Sequence, residues 1–247
     1  MINVKNDEQL VLMRQSGQIL KDVFRMVEDK IRKGMTTKQL DTMCHDYILR
    51  RGAQPSFLNY NGFPASICAS VDEEVVHGIP ADRVLEEGQI IGVDIGVFYK
   101  GYHTDATRTY LIGSVTEDKK RLVEVAEECF FKGMDGLKAD SRLGDLGNKI
   151  QSHAESNGMS VVRALVGHGI GRELHEDPNV PNFGTKGRGL RLKAGMTIAV
   201  EPMINRGGYE VEVAANGWTV LTKDGKPSAH YENTVIILSD GVEIITL

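Results

Sequence analysis

Two ten-residue stretches of this chain end on a carboxylate in the same register. They are Leu85-Glu86-Glu87-Gly88-Gln89-Ile90-Ile91-Gly92-Val93-Asp94 and Leu192-Lys193-Ala194-Gly195-Met196-Thr197-Ile198-Ala199-Val200-Glu201, which share Leu, Gly, Ile, Val and the terminal acid. Each reads as a glycine turn entering a strand that delivers an acid. The element pattern around them repeats as well. Residues 7–33 carry apolar side chains at helical spacing (Leu10, Met13, Leu20, Val23, Phe24, Val27, Ile31) and stop at Gly34. A second helix opens on Thr36-Thr37-Lys38-Gln39, a capping box, and runs to Gly52. Strand texture follows from about 64 to 111, then helical stretches at 117–136 and 142–156, then strand texture to the end. We read this as a duplicated helix–helix–sheet unit, beside the alternative that any glycine turn leading into a strand has this texture. No Pro/Gly/Ser-rich linker separates the halves, so a single domain over 1–247 is expected, with pseudo-repeat halves at about 7–111 and 116–247.

The clearest local signal is a hairpin: Ile90–Ile95 and Thr104–Tyr110, joined through Tyr99-Lys100-Gly101. Its strands hold an anomaly. Asp94 follows apolar and small residues inside a strand, Glu201 follows Thr197-Ile198-Ala199-Val200, and Glu232 precedes Val235-Ile236-Ile237-Leu238. An acid in an apolar strand is costly unless it is paired, neutralised or bound to a cation. Several such acids with a histidine in a glycine-rich setting (Val166-Gly167-His168-Gly169-Ile170-Gly171) point to a metal site. Four carboxylates with one histidine, Asp105 counted with the three, make an oxygen-rich set that suits hard or borderline divalent ions such as Mn, Fe, Co or Zn and exceeds what one tetrahedral zinc takes. Two ions sharing carboxylates would use it fully, and would supply a hydroxide nucleophile near neutral pH. Strand alternation puts His103 on the face of Asp105 and His230 on the face of Glu232, so each is a rival nitrogen ligand or a neighbour that orients a carboxylate. His175 and His77 lie beside turn formers and spacing assigns them no role. His45 and His153 fall on helices.

Composition excludes several classes. A net charge of −5 without a dominant Lys/Arg block argues against a phosphate-neutralising nucleic-acid binder, and the short basic run Lys186, Arg188, Arg191, Lys193 reads as a solvated loop. No segment has the roughly 20 apolar residues of a membrane span, and the N-terminus lacks a signal-peptide core. Cys44, Cys68 and Cys129 are scattered, with no CxxC pair, as expected for reduced thiols in a cytoplasmic protein.

Together, Val76-His77-Gly78-Ile79-Pro80, Val93-Asp94-Ile95-Gly96, His103-Thr104-Asp105, Gly167-His168-Gly169-Ile170-Gly171, His175-Glu176-Asp177-Pro178, Glu201-Pro202 and Tyr231-Glu232-Asn233-Thr234 give the chain a resemblance to type I methionine aminopeptidases, over its whole length. With no zinc-finger-like extension and no helical insertion between the His168 and Glu201 motifs, it resembles the short bacterial form. The resemblance implies an α+β pita-bread fold of two pseudo-symmetric halves, antiparallel strands inside and helices outside. It implies two divalent ions (Co, Mn, Fe, Zn or Ni) on Asp94, Asp105, His168, Glu201 and Glu232, with Asp105 and Glu232 bridging. It gives His175 the scissile carbonyl and its oxyanion, His77 the scissile amide or the next backbone, and Glu201 a proton shuttle. The methionine pocket would come from Phe57, Tyr60, Phe63, Cys68 and Trp218. Phe63, Leu174 and His230 depart from the family pattern, which bears on pocket shape and tolerance for the second residue. The implied partner is a peptide or nascent chain beginning with Met, with a small second residue, met at the ribosome by a monomer. A prolidase on the same fold would carry a further N-terminal domain, which an early helical start does not supply.

Overall fold

The structure, a computed structural model, describes residues 2–247. α1 (Asp7–Lys30) begins on a capping box in which the Asn6 side chain accepts from the Gln9 amide and the Gln9 side chain accepts from the Asn6 amide. α2 (Thr37–Arg50) begins on the expected Thr36–Gln39 box. α1 ends three residues before the expected boundary because Ile31 turns extended, and Gly34 then adopts φ 87 and donates its amide to the Leu85 carbonyl. Five strands follow: β1 (Gln54–Pro55), β2 (Ile67–Val71), β3 (Glu74–Val76), β4 (Ile90–Tyr99) and β5 (Tyr102–Leu111). α3 (Glu117–Met134) and α4 (Leu143–Ser156) come next. The remaining strands are β6 (Ser160–Val161), β7 (Gly167–Gly169), β8 (Glu176–Val180), β9 (Thr197–Val200), β10 (Met203–Asn205), β11 (Val211–Val213), β12 (Val220–Thr222), β13 (Ser228–His230), β14 (Glu232–Ile237) and β15 (Val242–Ile244).

The β4–β5 hairpin turns on Lys100 and Gly101, both at positive φ (49 and 86), which matches the right-handed twist of the strands it joins. A nine-stranded antiparallel sheet runs β1-β4-β5-β14-β9-β7-β8, with β2 added to β4 and β15 to β14. Its middle is the β5·β14 pair. Outward from that pair, each side carries one of the two strands on which the acid-bearing segments lie.

Period-2 alternation separates the faces. Ile91, Val93, Ile95 and Val97 of β4, with Ala106 of β5, pack on Leu20, Val23, Val27, Leu40 and Ile48 of α1 and α2. Ile198, Val200, Val235 and Ile237 pack on Leu122, Val125, Phe130, Leu146 and Ile150 of α3 and α4. These side chains are almost fully buried, and each Val, Leu, Ile and Phe among them contributes about 1.5–3 kcal/mol relative to exposure. The helices thus cover one face of the sheet. The residues in between (Asp94, Asp105, Thr107, Glu232) point to the other. Cys44, Cys68 and Cys129 are unpaired and buried, Lys186, Arg188, Arg191 and Lys193 are exposed, and among the described residues no helix is long and apolar enough to cross a membrane.

Candidate metal and substrate site

Strand register assembles the acids. Asp94 of β4 pairs with Thr107 of β5, and Thr107 pairs with Glu232 of β14, so three side chains form a row across three strands on one face. Asp105, two residues before Thr107, shares that face. Glu201 follows Val200, which pairs with Asn233, and so arrives one residue past β9 beside Glu232. His168 of β7 pairs with Ala199. Close strand approach needs small residues here: a Cβ on Gly167 would sit 2.3 Å from the Ala199 carbonyl oxygen, and one on Gly169 2.2 Å from the Asp177 carbonyl oxygen.

Donor atoms of Asp105, His168 and Glu232 lie within 4.8 Å of one another. His168 Nε2 stands 3.6 Å from Glu201 Oε1. His168 Nδ1 is 2.9 Å from the Gly169 carbonyl, which can only accept, so Nδ1 carries the proton and Nε2 offers its lone pair to the cluster. Thr107 Oγ1 donates to Glu232 Oε2 at 2.8 Å. Asp94 Oδ1, Asp105 Oδ1 and Glu232 Oε1 are buried without a hydrogen-bond partner. Burial pushes Asp94 up to about 7. Burial first, then the neighbouring carboxylates, pushes Asp105, Glu201 and Glu232 well above the usual carboxylate range. Orphaned buried oxygens among mutually repelling acids, with one imidazole lone pair, are the donor set a divalent cation satisfies. The residues present fit such a group.

The two rival histidines separate. His103 is held away from the cluster: its Nδ1 lies 2.9 Å from Ser56 Oγ and its ring rests 4.4 Å from Phe98. His230 stands at the edge of the cluster, its buried Nε2 3.9 Å from both Glu201 Oε2 and Glu232 Oε2 and without a hydrogen-bond partner. His45 bonds Ser66 and His153 bonds Glu128, and neither histidine lines the cavity that holds the acids.

A cavity of about 190 Å³ opens onto the acids. Its lining includes all of the expected pocket residues, Phe57, Tyr60, Phe63, Cys68 and Trp218, together with His77 and His175. Phe63 and Trp218 meet edge-on at 5.2 Å. Leu174, buried, adds an apolar wall. His77 is held at φ 59, a costly conformation for a side chain of its size. Burial lowers the pKa of His77 and His175, favouring the neutral rings. His175 Nδ1 lies 2.8 Å from the Tyr60 hydroxyl, and its ring is 4.2 Å from that of His168. Sequence reasoning passed over Asn61, which lines the cavity, and Thr107. Alternation could have found Thr107, two residues past Asp105. Asn61 left no periodic signal, since it sits in an irregular loop at φ 51.

The model of metallopeptidase family M24 matches residues 11–239. A methionine aminopeptidase of Clostridium perfringens is 50% identical over all of this chain and 99% of its own length. Methionine aminopeptidase 1 of Bacillus subtilis is 46% identical over 100% of this chain and 99% of its own. The crystal structure of methionine aminopeptidase from Rickettsia prowazekii superposes with a TM-score of 0.98 at 41% identity, covering 100% of both chains. The prolidase of Pyrococcus furiosus, at 20% identity and a TM-score of 0.79, shares the fold alone. The architecture is the pita-bread fold, and the chain belongs to metallopeptidase family M24, on its methionine aminopeptidase branch.

Proposed function

We propose that this chain removes N-terminal methionine from peptides and nascent proteins with a small second residue, using two divalent ions held by Asp94, Asp105, His168, Glu201 and Glu232. The observation that carries the reading is that all five donors line one small cavity together with the apolar side chains of Phe57, Phe63, Leu174 and Trp218. Asp105 and Glu232, whose donor atoms lie with that of His168 within 4.8 Å of one another, would be the ligands shared between the ions. The ions, when bound, activate a water and polarise the scissile carbonyl.

The residues of the chain do the rest. Phe57, Tyr60, Phe63, Cys68 and Trp218 receive the methionine side chain, an apolar and polarisable set for a thioether. Glu201 takes the proton of the attacking water and returns it to the leaving amine, a role open to a carboxylate whose surroundings raise its proton affinity. His175 donates to the carbonyl oxygen as negative charge develops there. His77 contacts the scissile amide or the following backbone. Leu174 and the rim near Asn61 limit the space beyond the methionine, so large charged second residues are rejected. The chain works as a single catalytic domain and a monomer in the cytoplasm. Its halves are residues 7–111 and 116–247, and the flanking of β5·β14 by the two acid-bearing strands supports that division. Nascent chains at the ribosome are its source of substrate.

The test is direct. With Mn(II), Co(II) or Fe(II), purified protein should release methionine from Met-Ala-Ser, and Glu201→Gln should reduce the rate by at least about 100-fold, as loss of a general base does. No release with any metal, or equal cleavage of Leu- and Lys-initiated peptides, would overturn the reading.

A further inference from the structure

Tyr60 does more than line the cavity. Its hydroxyl lies 2.8 Å from His175 Nδ1, and the two rings stack at 5.2 Å and 29°. His168 provides the contrast. Its Nδ1 faces a carbonyl and must donate, so its Nε2 is left bare. The Nδ1 of His175 faces a phenol instead. A phenol is a good donor and a poor acceptor, because its oxygen lone pair is delocalised into the ring. The unprotonated nitrogen of a neutral imidazole is a strong acceptor. Tyr60 O–H therefore donates to Nδ1, and the single N–H of the neutral His175 ring sits on Nε2. The His175 ring lines the cavity, and with Nδ1 taken, Nε2 is the nitrogen left for a bound peptide.

We propose that Tyr60 is a positioning residue that holds His175 in its Nε2–H tautomer, so that the ring presents a donor, not a lone pair, to the peptide carbonyl. The inference rests on the aminopeptidase reading for its consequence in catalysis and on the Tyr60–His175 contact for its chemistry. In the opposite tautomer a nitrogen lone pair would face the carbonyl oxygen and repel the charge that grows on it.

Both sides of the contact are fixed by their own backbones. Tyr60 lies between Asn59 (φ 66) and Asn61 (φ 51), both left-handed, a region asparagine enters at lower cost than other side chains. The Asn59 amide donates to the Phe63 carbonyl at 2.8 Å and the Tyr60 amide to the Phe57 carbonyl at 2.9 Å. On the opposite side, the Arg172 and Glu173 amides donate to Glu176 Oε1 at 2.8 and 3.3 Å, and Lys5 Nζ holds Glu176 Oε2 at 2.6 Å. The hydroxyl and the imidazole, 115 residues apart in the chain, meet because two pinned loops bring them together.

The experiment reads the tautomer itself. Nitrogen–proton correlation spectra of the full chain loaded with diamagnetic Zn(II) distinguish the two tautomers, and His175 is assigned among the seven histidines by the loss of its signals in His175→Gln. The wild type should show His175 protonated at Nε2 with Nδ1 as acceptor. Tyr60→Phe keeps the ring and the cavity wall; it should shift the tautomer ratio about tenfold toward Nδ1–H and lower kcat about as much, the value of roughly one hydrogen bond. KM for Met-Ala-Ser should stay within about twofold, since the side-chain pocket is intact. A wild-type His175 protonated at Nδ1, or a tautomer unchanged in Tyr60→Phe, would overturn the proposal. If the wild type released no methionine, the aminopeptidase reading would fail, and the spectra would still decide the role of Tyr60.

Discussion

Asp94 lies on a strand whose neighbouring side chains are apolar, and its carboxyl is raised to about 7 by burial. Asp105, Glu201 and Glu232 are raised further by burial and by each other. A carboxyl raised on folding stabilises the native state fully below its unfolded value near 3.9–4.3, and that contribution is lost as pH climbs through the folded value. Metal-free protein should therefore lose stability between about pH 4 and about pH 7 from Asp94 alone, with the other three acids extending the loss upward. Thermal midpoints across pH 5–8 should fall more steeply for the metal-free wild type than for Asp105→Asn, in which one source of repulsion is removed. Adding Mn(II) should release protons and flatten the wild-type profile; an equal slope in both proteins without metal would contradict this account. At this scale Asp94, Glu201 and Glu232 were legible because each adjoins an apolar run, whereas Asp105, flanked by Thr104 and Ala106, was marked as a ligand only by the resemblance. Thr107 was legible only as a residue on the face of Asp105, since a threonine in a strand is ordinary, and Asn61 left no signal at all, since an asparagine in a loop is ordinary too.

Elements were legible where local chemistry decides them. Capping boxes opened α2 as read and α1 at Asn6, and Lys100-Gly101 turned the hairpin. What a helix rests on was less visible. α4 carries Gly144 and Gly147 on its buried side, where a Cβ at Gly147 would lie 2.4 Å from the Phe183 carbonyl oxygen and 2.8 Å from that of Pro181. The helix packs directly on the backbone that leads into the exposed basic loop. Gly147→Ala gains about 0.5–1 kcal/mol of helix propensity. It meets an overpacking cost of about 1–3 kcal/mol against backbone that cannot step aside as a side chain would. The net should be destabilising, with a lowered midpoint in urea at unchanged m-value. A stabilised variant would show that the 181–185 segment yields more readily than its packing implies.

Across the whole molecule, the N-terminal segment closes on the turn that leads into β8. Lys5 Nζ lies 2.6 Å from Glu176 Oε2, both side chains about 4% exposed, and the Lys5 amide donates to the Gly195 carbonyl. Burial lowers the Lys5 pKa against the pull of Glu176, and Lys5 helps hold Glu176 below its ordinary value despite burial. Removing one partner of a buried pair leaves the other charge uncompensated, which costs about 3–5 kcal/mol. Lys5→Met should lose stability of that order in denaturant unfolding, and Lys5→Met with Glu176→Gln should lose less than the sum of the two single changes. Strict additivity would show that the pair is not coupled.

The sequence by itself determined which segments are helix and strand, which acids are too costly to leave unpartnered, and that two acid-bearing strands recur. Those properties depend on neighbours in the chain: periodicity, capping and the cost of burying charge. Which histidine joins the acids was left open by local pattern and named as His168 only by the resemblance, and its physical cause lies in tertiary structure. His103 and His230 each share a strand face with an acid, yet His103 turns to Ser56 and Phe98, His230 stops at the edge of the cluster, and His168 places its bare nitrogen beside Glu201. The pairing of Tyr60 with His175 was decided there too. Contacts between residues so far apart in the chain follow from strand order and register, which are set by burying both faces of the sheet at once, and no local pattern encodes them.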